Sequence, residues 1–158
     1  MSKIKLKKSS LEEATETDGG TQYGALCYRE RKGVIQFLMI TSRRTKRWVI
    51  PKGWSIEGLS PADSAAQEAW EEAGVRGTVD SKDIGLYSYI KEGEKGAPDV
   101  PCTTWVYPLR VTTLKGDYPE KSERRRKWMG RKKAADAVWE PELAKLIRRF
   151  EPADDIGA

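Results

Sequence analysis

The sequence predicts an α+β fold, a layered sandwich in which a sheet packs against helices. Three observations support this. Strand-like segments recur along the chain, a helical pattern interrupts them at residues 61–73, and a second one develops within residues 128–150. The 158 residues, 38% of them hydrophobic, fit one domain of common size. We therefore expect one domain over 21–151, a flexible N-terminal tail over 1–20 and a C-terminal tail over 152–158.

The domain is predicted to begin with a hairpin. Residues 21–29 and 33–42 are rich in β-favouring side chains, and a turn is expected at residues 30–32. Residues 47–51 predict a short buried strand that ends at a proline. Residues 52–61 hold two glycines and a proline, so a loop is expected there.

A helix is predicted over residues 61–73. Ser60 is a suitable N-cap, Pro61 suits the first helical position, and Gly74 provides a C-terminal stop. One stripe of this helix is small enough to lie close against a sheet. It consists of Ala62, Ala65, Ala66, Ala69 and Ala73.

The second half predicts more extended structure and then helix. Residues 78–92 and 102–114 suggest strands joined by an exposed loop, and Pro108 suggests that the second is an edge strand or carries a bulge. Residues 128–150 begin as a strand and become helical, with Pro141 dividing the helical part in two.

Composition excludes several kinds of chemistry. The chain has no histidine, which excludes Ser-His-Asp and Cys-His catalysis and every His-ligated metal site. Cys27 and Cys102 are too few for a disulfide framework or a zinc site, and we expect buried free thiols. No segment has the roughly 20 apolar residues of a membrane-spanning helix, and the basic N-terminus lacks the apolar core of a signal peptide. We expect a cytoplasmic protein without a membrane partner.

The positive charge is clustered. There are 29 Lys and Arg against 24 Asp and Glu, a net charge of +5. Such clustering predicts an anionic partner, for which nucleic acid, an acidic membrane surface and a polyphosphate metabolite all qualify. The clusters are residues 3–8, 43–47, 124–127 and 131–133.

Three glutamates form one face of the predicted helix. Glu68, Glu71 and Glu72 are spaced i, i+3 and i+4, which places them within an arc of roughly 100°. Carboxylates without histidine or thiolate suit Mg²⁺ or Mn²⁺. Taken alone, the pattern also fits a solvated acidic face.

Residues 53–75 resemble the Nudix box, and the preceding RWVIPKGW resembles the usual entry to it. The resemblance implies a Nudix-type α/β/α sandwich with a mixed central sheet, a catalytic loop-helix motif and a C-terminal helix. It also implies that Glu68, Glu71 and Glu72 hold the metal, with Glu71 or Glu72 acting on the attacking water. The residues that match the box are Gly53, Glu68, Ala69, Glu71, Glu72, Gly74 and Val75.

The chain departs from the box at two positions. Leu59 stands where the family usually has glutamate, and Gln67 stands where it usually has arginine. In the family these two side chains form an ion pair that ties the loop to the helix. We expect burial of Leu59 to hold the loop instead.

Residues 41–54, 68–79 and 122–138 are similar to the diphosphoinositol polyphosphate phosphohydrolase branch of that family. The resemblance implies metal-dependent hydrolysis of a diphosphate linkage in an inositol pyrophosphate, a dinucleoside polyphosphate or inorganic polyphosphate. The substrate-binding residues it implies are Arg43, Lys52, Gly53, Arg124 and Arg126.

Other functions stay open at this point. One alternative is hydrolysis of ADP-ribose or another nucleoside diphosphate. A second is a catalytically weak domain that only binds a polyanionic ligand or nucleic acid, although no fingerprint of a nucleic-acid-binding fold is present. The sequence leaves the oligomeric state open.

Overall fold

The computed structural model describes residues 20–93 and 95–153, which form one mixed sheet flanked by helices. The strands are β1 (Gly20–Arg31), β2 (Val34–Thr41), β3 (Trp48–Val49), β4 (Lys52–Trp54), β5 (Val75–Val79), β6 (Gly85–Lys91), β7 (Val100–Leu114) and β8 (Arg126–Gly130). The helices are α1 (Pro61–Ala73), α2 (Arg131–Ala137) and α3 (Pro141–Arg149).

The sheet is built around β1 and β7, which pair in parallel. The main path runs β3-β2-β1-β7-β5, and β4, β6 and β8 pair with β1, β7 and β2. All pairings other than β1 with β7 are antiparallel. The mixed central sheet implied by the resemblance is therefore present.

Both faces of the sheet are covered, which explains the continuous apolar run in β1. Leu26 and Tyr28 belong to the core beneath α2 and α3, whereas Ala25 and Cys27 belong to the core beneath α1. Neighbouring residues of a strand point to opposite faces, so a strand buried on both sides needs apolar residues at every position. The predicted α/β/α sandwich is confirmed.

Helix α1 has the predicted bounds because both of its ends are capped locally. The Ser60 hydroxyl accepts a hydrogen bond from the backbone N–H of Asp63 at 3.1 Å. Gly74 adopts the left-handed conformation, with φ of 70°, and its N–H bonds to the last turn of the helix. These are the usual satisfied ends of a short helix.

Three local predictions need correction. The hairpin turn lies at Lys32 and Gly33, whose φ values of 53° and 79° are those that match the twist of a tight hairpin. Part of the predicted loop after Pro51 is strand β4, because it pairs with the first half of β1. Pro108 lies in a central strand and not at an edge, between the β7 residues that pair with β6 and those that pair with β5; the alternative of an irregularity in this strand is met, because its register against β5 shifts between Arg76 and Gly77.

The C-terminal helical segment is confirmed, including its division into α2 and α3 with Pro141 as the first residue of α3. Cys27 and Cys102 are buried free thiols, as predicted. None of the described helices has the length and apolar character needed to cross a membrane. The predicted tails lie outside the described residues, except for Gly20, which begins β1, and residues 152 and 153.

Candidate functional site

Helix α1 lies close to the sheet because the side chains that contact it are alanines. Ala62, Ala65, Ala69 and Ala73 are buried against the sheet together with Cys27 and other core residues. This close approach brings the glutamates of the next helical face to the edge of the sheet beside β4. The structure thus places the predicted acidic face beside β4.

Glu68 and Glu72 form a pair of carboxyl groups joined by a hydrogen bond. Burial, the hydrogen bond to Glu72 and the negative charge of Glu72 raise the pKa of Glu68 to about 9. Burial also raises the pKa of Glu72, against the opposing attraction of Arg124 and Lys52. Glu68 is therefore the protonated donor of the pair and Glu72 the acceptor.

Glu72 is the more enclosed of the two carboxylates, with 7% of its surface exposed. Its Oε1 accepts the backbone N–H of Lys52 at 3.4 Å, and its Oε2 lies 3.9 Å from a guanidinium nitrogen of Arg124. A buried carboxylate needs such partners to stay charged. These contacts fix Glu72 between β4 and the loop before β8.

Gly53 is required next to this pair. A Cβ built on Gly53 would overlap the Glu68 carboxylate, so a larger residue would push the glutamate away. The predicted importance of Gly53 thus has a steric basis in this structure.

Glu71 is held apart from the other two glutamates. Its Oε2 accepts a hydrogen bond of 2.8 Å from Nε2 of Gln67, one turn earlier on α1. The side chain of Gln67 therefore orients Glu71 through a neutral amide.

The expectation that Leu59 is buried against the helix or loop is wrong, because 41% of its surface is exposed. The loop is held elsewhere. The fully buried Ser64 of α1 accepts a hydrogen bond of 3.1 Å from the backbone N–H of Ile56. A hydroxyl inside the helix thus fixes the loop, as the family ion pair would.

A pocket of about 190 Å³ is connected to Glu72 through Lys52, which lines it and donates its backbone N–H to Glu72, and we call it the basic pocket. Arg124 lines it and also approaches Glu72. The acid on its wall is Glu92, which lies 3.9 Å from Arg44. Among the described residues, the cations that line the pocket are Arg43, Arg44, Arg47, Lys52, Lys91 and Arg124.

The predicted substrate-binding residues are only partly gathered at this pocket. Arg43, Lys52 and Arg124 line it, and Gly53 adjoins it on β4. Arg126 is turned toward α1, where it donates a hydrogen bond of 2.7 Å to the Ala73 carbonyl and lies over the ring of Tyr118. A cation at a helix C-terminus satisfies an otherwise unpaired carbonyl.

Several residues at the site were missed by sequence reasoning. Lys91 reaches the pocket from β6, where Tyr89 of the aromatic region singled out by the sequence also lines it, and the Lys52 ammonium lies 4.8 Å from the Tyr89 ring centre. Burial lowers the pKa of Lys52.

The Glu120 carboxylate accepts a hydrogen bond of 2.8 Å from Arg124 and adds negative charge near both paired glutamates. The position of Glu120 four residues before Arg124 is the one sequence feature that could have indicated this contact.

Glu140 was also missed, although it supports the pocket wall. Its Oε2 lies 2.8 Å from Nη1 of Arg47, and the two side chains are 9% and 18% exposed. Its Oε1 is buried without a hydrogen-bond partner. Nothing in the local sequence links the start of α3 to residue 47.

The donor set fits a hard divalent cation. Two carboxyl groups lie together, and a cation between them would take the place of the shared proton and relieve the repulsion that arises when both are ionised. In the part of the chain that the structure describes, no three Asp, Glu, Cys or His side chains are already grouped as a metal site. Glu71 would have to leave Gln67 to join the pair.

Comparisons with known proteins agree with this geometry. The NUDIX domain family model matches residues 20–150. Nudix hydrolase 16, mitochondrial, of Arabidopsis thaliana is 30% identical over 129 residues, covering 80% of this chain and 67% of the relative. Human diphosphoinositol polyphosphate phosphohydrolase 3-alpha is 30% identical over 115 residues, covering 72% of this chain and 63% of the relative.

A solved structure of an Ap4A hydrolase from C. elegans superposes with a TM-score of 0.56 at 21% identity, covering 82% of this chain and 94% of that one. At this identity the likeness concerns the fold. The chain spans about half to two thirds of the length of the curated relatives it matches.

Proposed function

Because this chain belongs to the NUDIX domain family, we propose that it hydrolyses a diphosphate linkage in a phosphate-rich small molecule. The observation that carries the proposal is that Lys52 and Arg124 line the basic pocket and also contact Glu72 of the Glu68–Glu72 pair. Carboxylates that suit a divalent cation and a pocket that suits phosphates are both required for this chemistry.

The reaction is divalent-cation-dependent in this proposal, with Mg²⁺ or Mn²⁺ held by Glu68 and Glu72, joined by Glu71 if it leaves Gln67. The bound cation supplies charge that neutralises the phosphate oxygens and lowers the pKa of a water molecule. Glu71 and Glu72 are the candidates for accepting the proton of the attacking water. Gln67 positions Glu71 through their hydrogen bond.

The protein's own cations bind and orient the substrate. Arg43, Lys52 and Arg124 hold phosphate oxygens through charge-assisted hydrogen bonds, and Arg47 and Lys91 add positive charge to the wall. Six cations and one acid give the pocket wall more positive charge than is needed to neutralise the two phosphates of ADP-ribose. The pocket therefore favours inositol pyrophosphates, dinucleoside polyphosphates and inorganic polyphosphate over ADP-ribose.

The test is hydrolysis of a panel of diphosphate compounds with and without Mg²⁺ or Mn²⁺. The panel contains ADP-ribose, diadenosine polyphosphates, an inositol pyrophosphate and inorganic polyphosphate. Cation-dependent turnover that is fastest for the phosphate-rich compounds supports the proposal. No turnover of any compound would indicate instead a domain that only binds its ligand, the alternative that the departures at Leu59 and Gln67 suggest.

Glu72→Gln should lower turnover by at least about a hundredfold without unfolding the protein, because an amide cannot supply the charge of a metal-binding carboxylate. Glu30→Gln makes the same chemical change at an exposed position on β1 and serves as the control. Turnover of Glu72→Gln within a few-fold of the control would remove Glu72 from the mechanism.

The sequence-based prediction of a cytoplasmic location is part of this proposal. It is tested by imaging the full-length protein in its native cell.

A further inference from the structure

A second pocket of about 380 Å³ lies beside the basic pocket, and we call it the distal pocket. Lys46, Arg124 and Arg125 supply its positive charge, and Trp48 forms part of its wall. Arg124 lines both pockets. The two are therefore neighbours that share one residue.

The boundary between the pockets is an exposed ion pair. Arg43 lines the basic pocket and Glu123 lines the distal pocket, and their side chains meet at 3.0 Å. The side chains are 58% and 43% exposed. Exposed pairs of this kind contribute little to stability, so a ligand that binds Arg43 can displace the Glu123 carboxylate easily.

Glu123 is the acid in the lining of a pocket that otherwise carries positive and neutral groups. Its backbone is fixed, since its N–H bonds to the Glu120 carbonyl at 2.9 Å. Only the side chain has to rotate for Arg43 to exchange a carboxylate for a phosphate. The carboxylate thus occupies the place on Arg43 that an anionic ligand would take.

We propose that the distal pocket is a second anion subsite, which takes the far phosphates of a linear polyphosphate chain whose near end lies in the basic pocket, and that Glu123 sets the preference for chain length. This inference rests on the proposed function, because the near end of the chain is the end to be cleaved. Any chain that binds Arg43 displaces this pair, but only a long chain also enters the distal pocket, where it gains charge-assisted bonds to Arg125 and meets the Glu123 carboxylate.

The test is calorimetric binding of inorganic tripolyphosphate and of a polyphosphate of about ten phosphates to the full chain without divalent cation. Glu123→Gln should raise the ratio of long-chain to short-chain affinity at least about fivefold, because it removes a competing negative charge. Arg125→Gln should lower that ratio by a similar factor. Circular dichroism of each variant verifies folding.

Two controls carry the same chemical changes elsewhere. Glu151→Gln removes an acid from another exposed pair, with Arg131, and should leave the ratio within about twofold. Lys91→Gln removes a cation from the basic pocket alone, and should weaken both ligands alike. A ratio that does not move in Glu123→Gln or in Arg125→Gln would overturn the distal subsite.

The binding measurement separates this inference from the proposed function. Unchanged ratios together with cation-dependent hydrolysis would refute only the distal subsite. Shifted ratios in a protein that hydrolyses nothing in the panel would refute only the proposed hydrolysis.

Discussion

Replacement of Ser64 by alanine tests whether one buried hydroxyl holds the loop that leads into α1. The hydroxyl is fully buried and accepts the Ile56 N–H at 3.1 Å. Removing it leaves that N–H without its partner in a partly buried place, which costs about 1–3 kcal/mol. For a chain of this size each kcal/mol lowers Tm by about 2–4 °C, so Ser64→Ala should melt about 2–12 °C lower.

Ser60→Ala is the matched control for this substitution. It also removes a serine hydroxyl that accepts one backbone N–H, that of Asp63 at 3.1 Å, but this bond caps the helix and does not hold the loop. Loss of such a cap costs about 1 kcal/mol. The two variants therefore lose comparable hydrogen bonds at opposite sides of the loop-helix junction.

Turnover distinguishes the two variants. A loosened loop displaces Gly53 and Lys52 from Glu68 and Glu72, and small displacements of catalytic groups are costly, so Ser64→Ala should lower kcat by about tenfold or more at a temperature where it is folded. Ser60→Ala should keep kcat within about threefold. Thermal unfolding followed by circular dichroism gives the Tm of each variant. Initial rates with the best substrate of the panel give its kcat. Equal kcat in the two variants would refute the idea that Ser64 holds the loop.

Two further predictions concern buried charge. Because the folded pKa of Glu68 lies near 9, above its ordinary value of 4.5, its contribution to stability is fully present below about pH 4.5 and is lost as pH rises toward 9. Urea unfolding of the metal-free protein should show this slope, and Glu68→Gln should flatten it; an unchanged slope would contradict the buried pair. Glu140→Gln should lower the free energy of unfolding by about 1–3 kcal/mol, because Arg47 keeps only a neutral partner in a buried place. It should also raise KM for phosphate-rich substrates, and a loss of stability without a change in KM would show that the pair supports the fold alone.

The sequence predicts best the parts of this protein that depend on neighbouring residues. The bounds of α1 follow from Ser60, Pro61 and Gly74, all within one residue of the helix ends. The existence of β1 follows from the β-favouring side chains of residues 21–29. Residues next to each other in the chain determine these features, so short sequence patterns were sufficient to predict them.

The parts that could not be predicted depend on contacts between distant segments. Lys91 and Glu140 reach the basic pocket or its wall only after the sheet and α3 have assembled. The role of Ser64 was hidden for another reason. The absence of the family ion pair at Leu59 and Gln67 shows what is missing, but it does not show which residue replaces it.

The parallel pairing of β1 with β7 sets an order for folding. Gly20 pairs with Cys102 and Tyr28 with Arg110, so about 80 residues separate the partners along the chain. Closing so long a loop is entropically costly, and folds dominated by distant pairings fold slowly. During synthesis the β1–β2 hairpin can form early, but the centre of the sheet has to wait until β7 has left the ribosome. Until then the apolar face of β1 that later packs against α1 lacks its neighbouring strand, and a nascent chain arrested before residue 100 should require a chaperone to stay soluble.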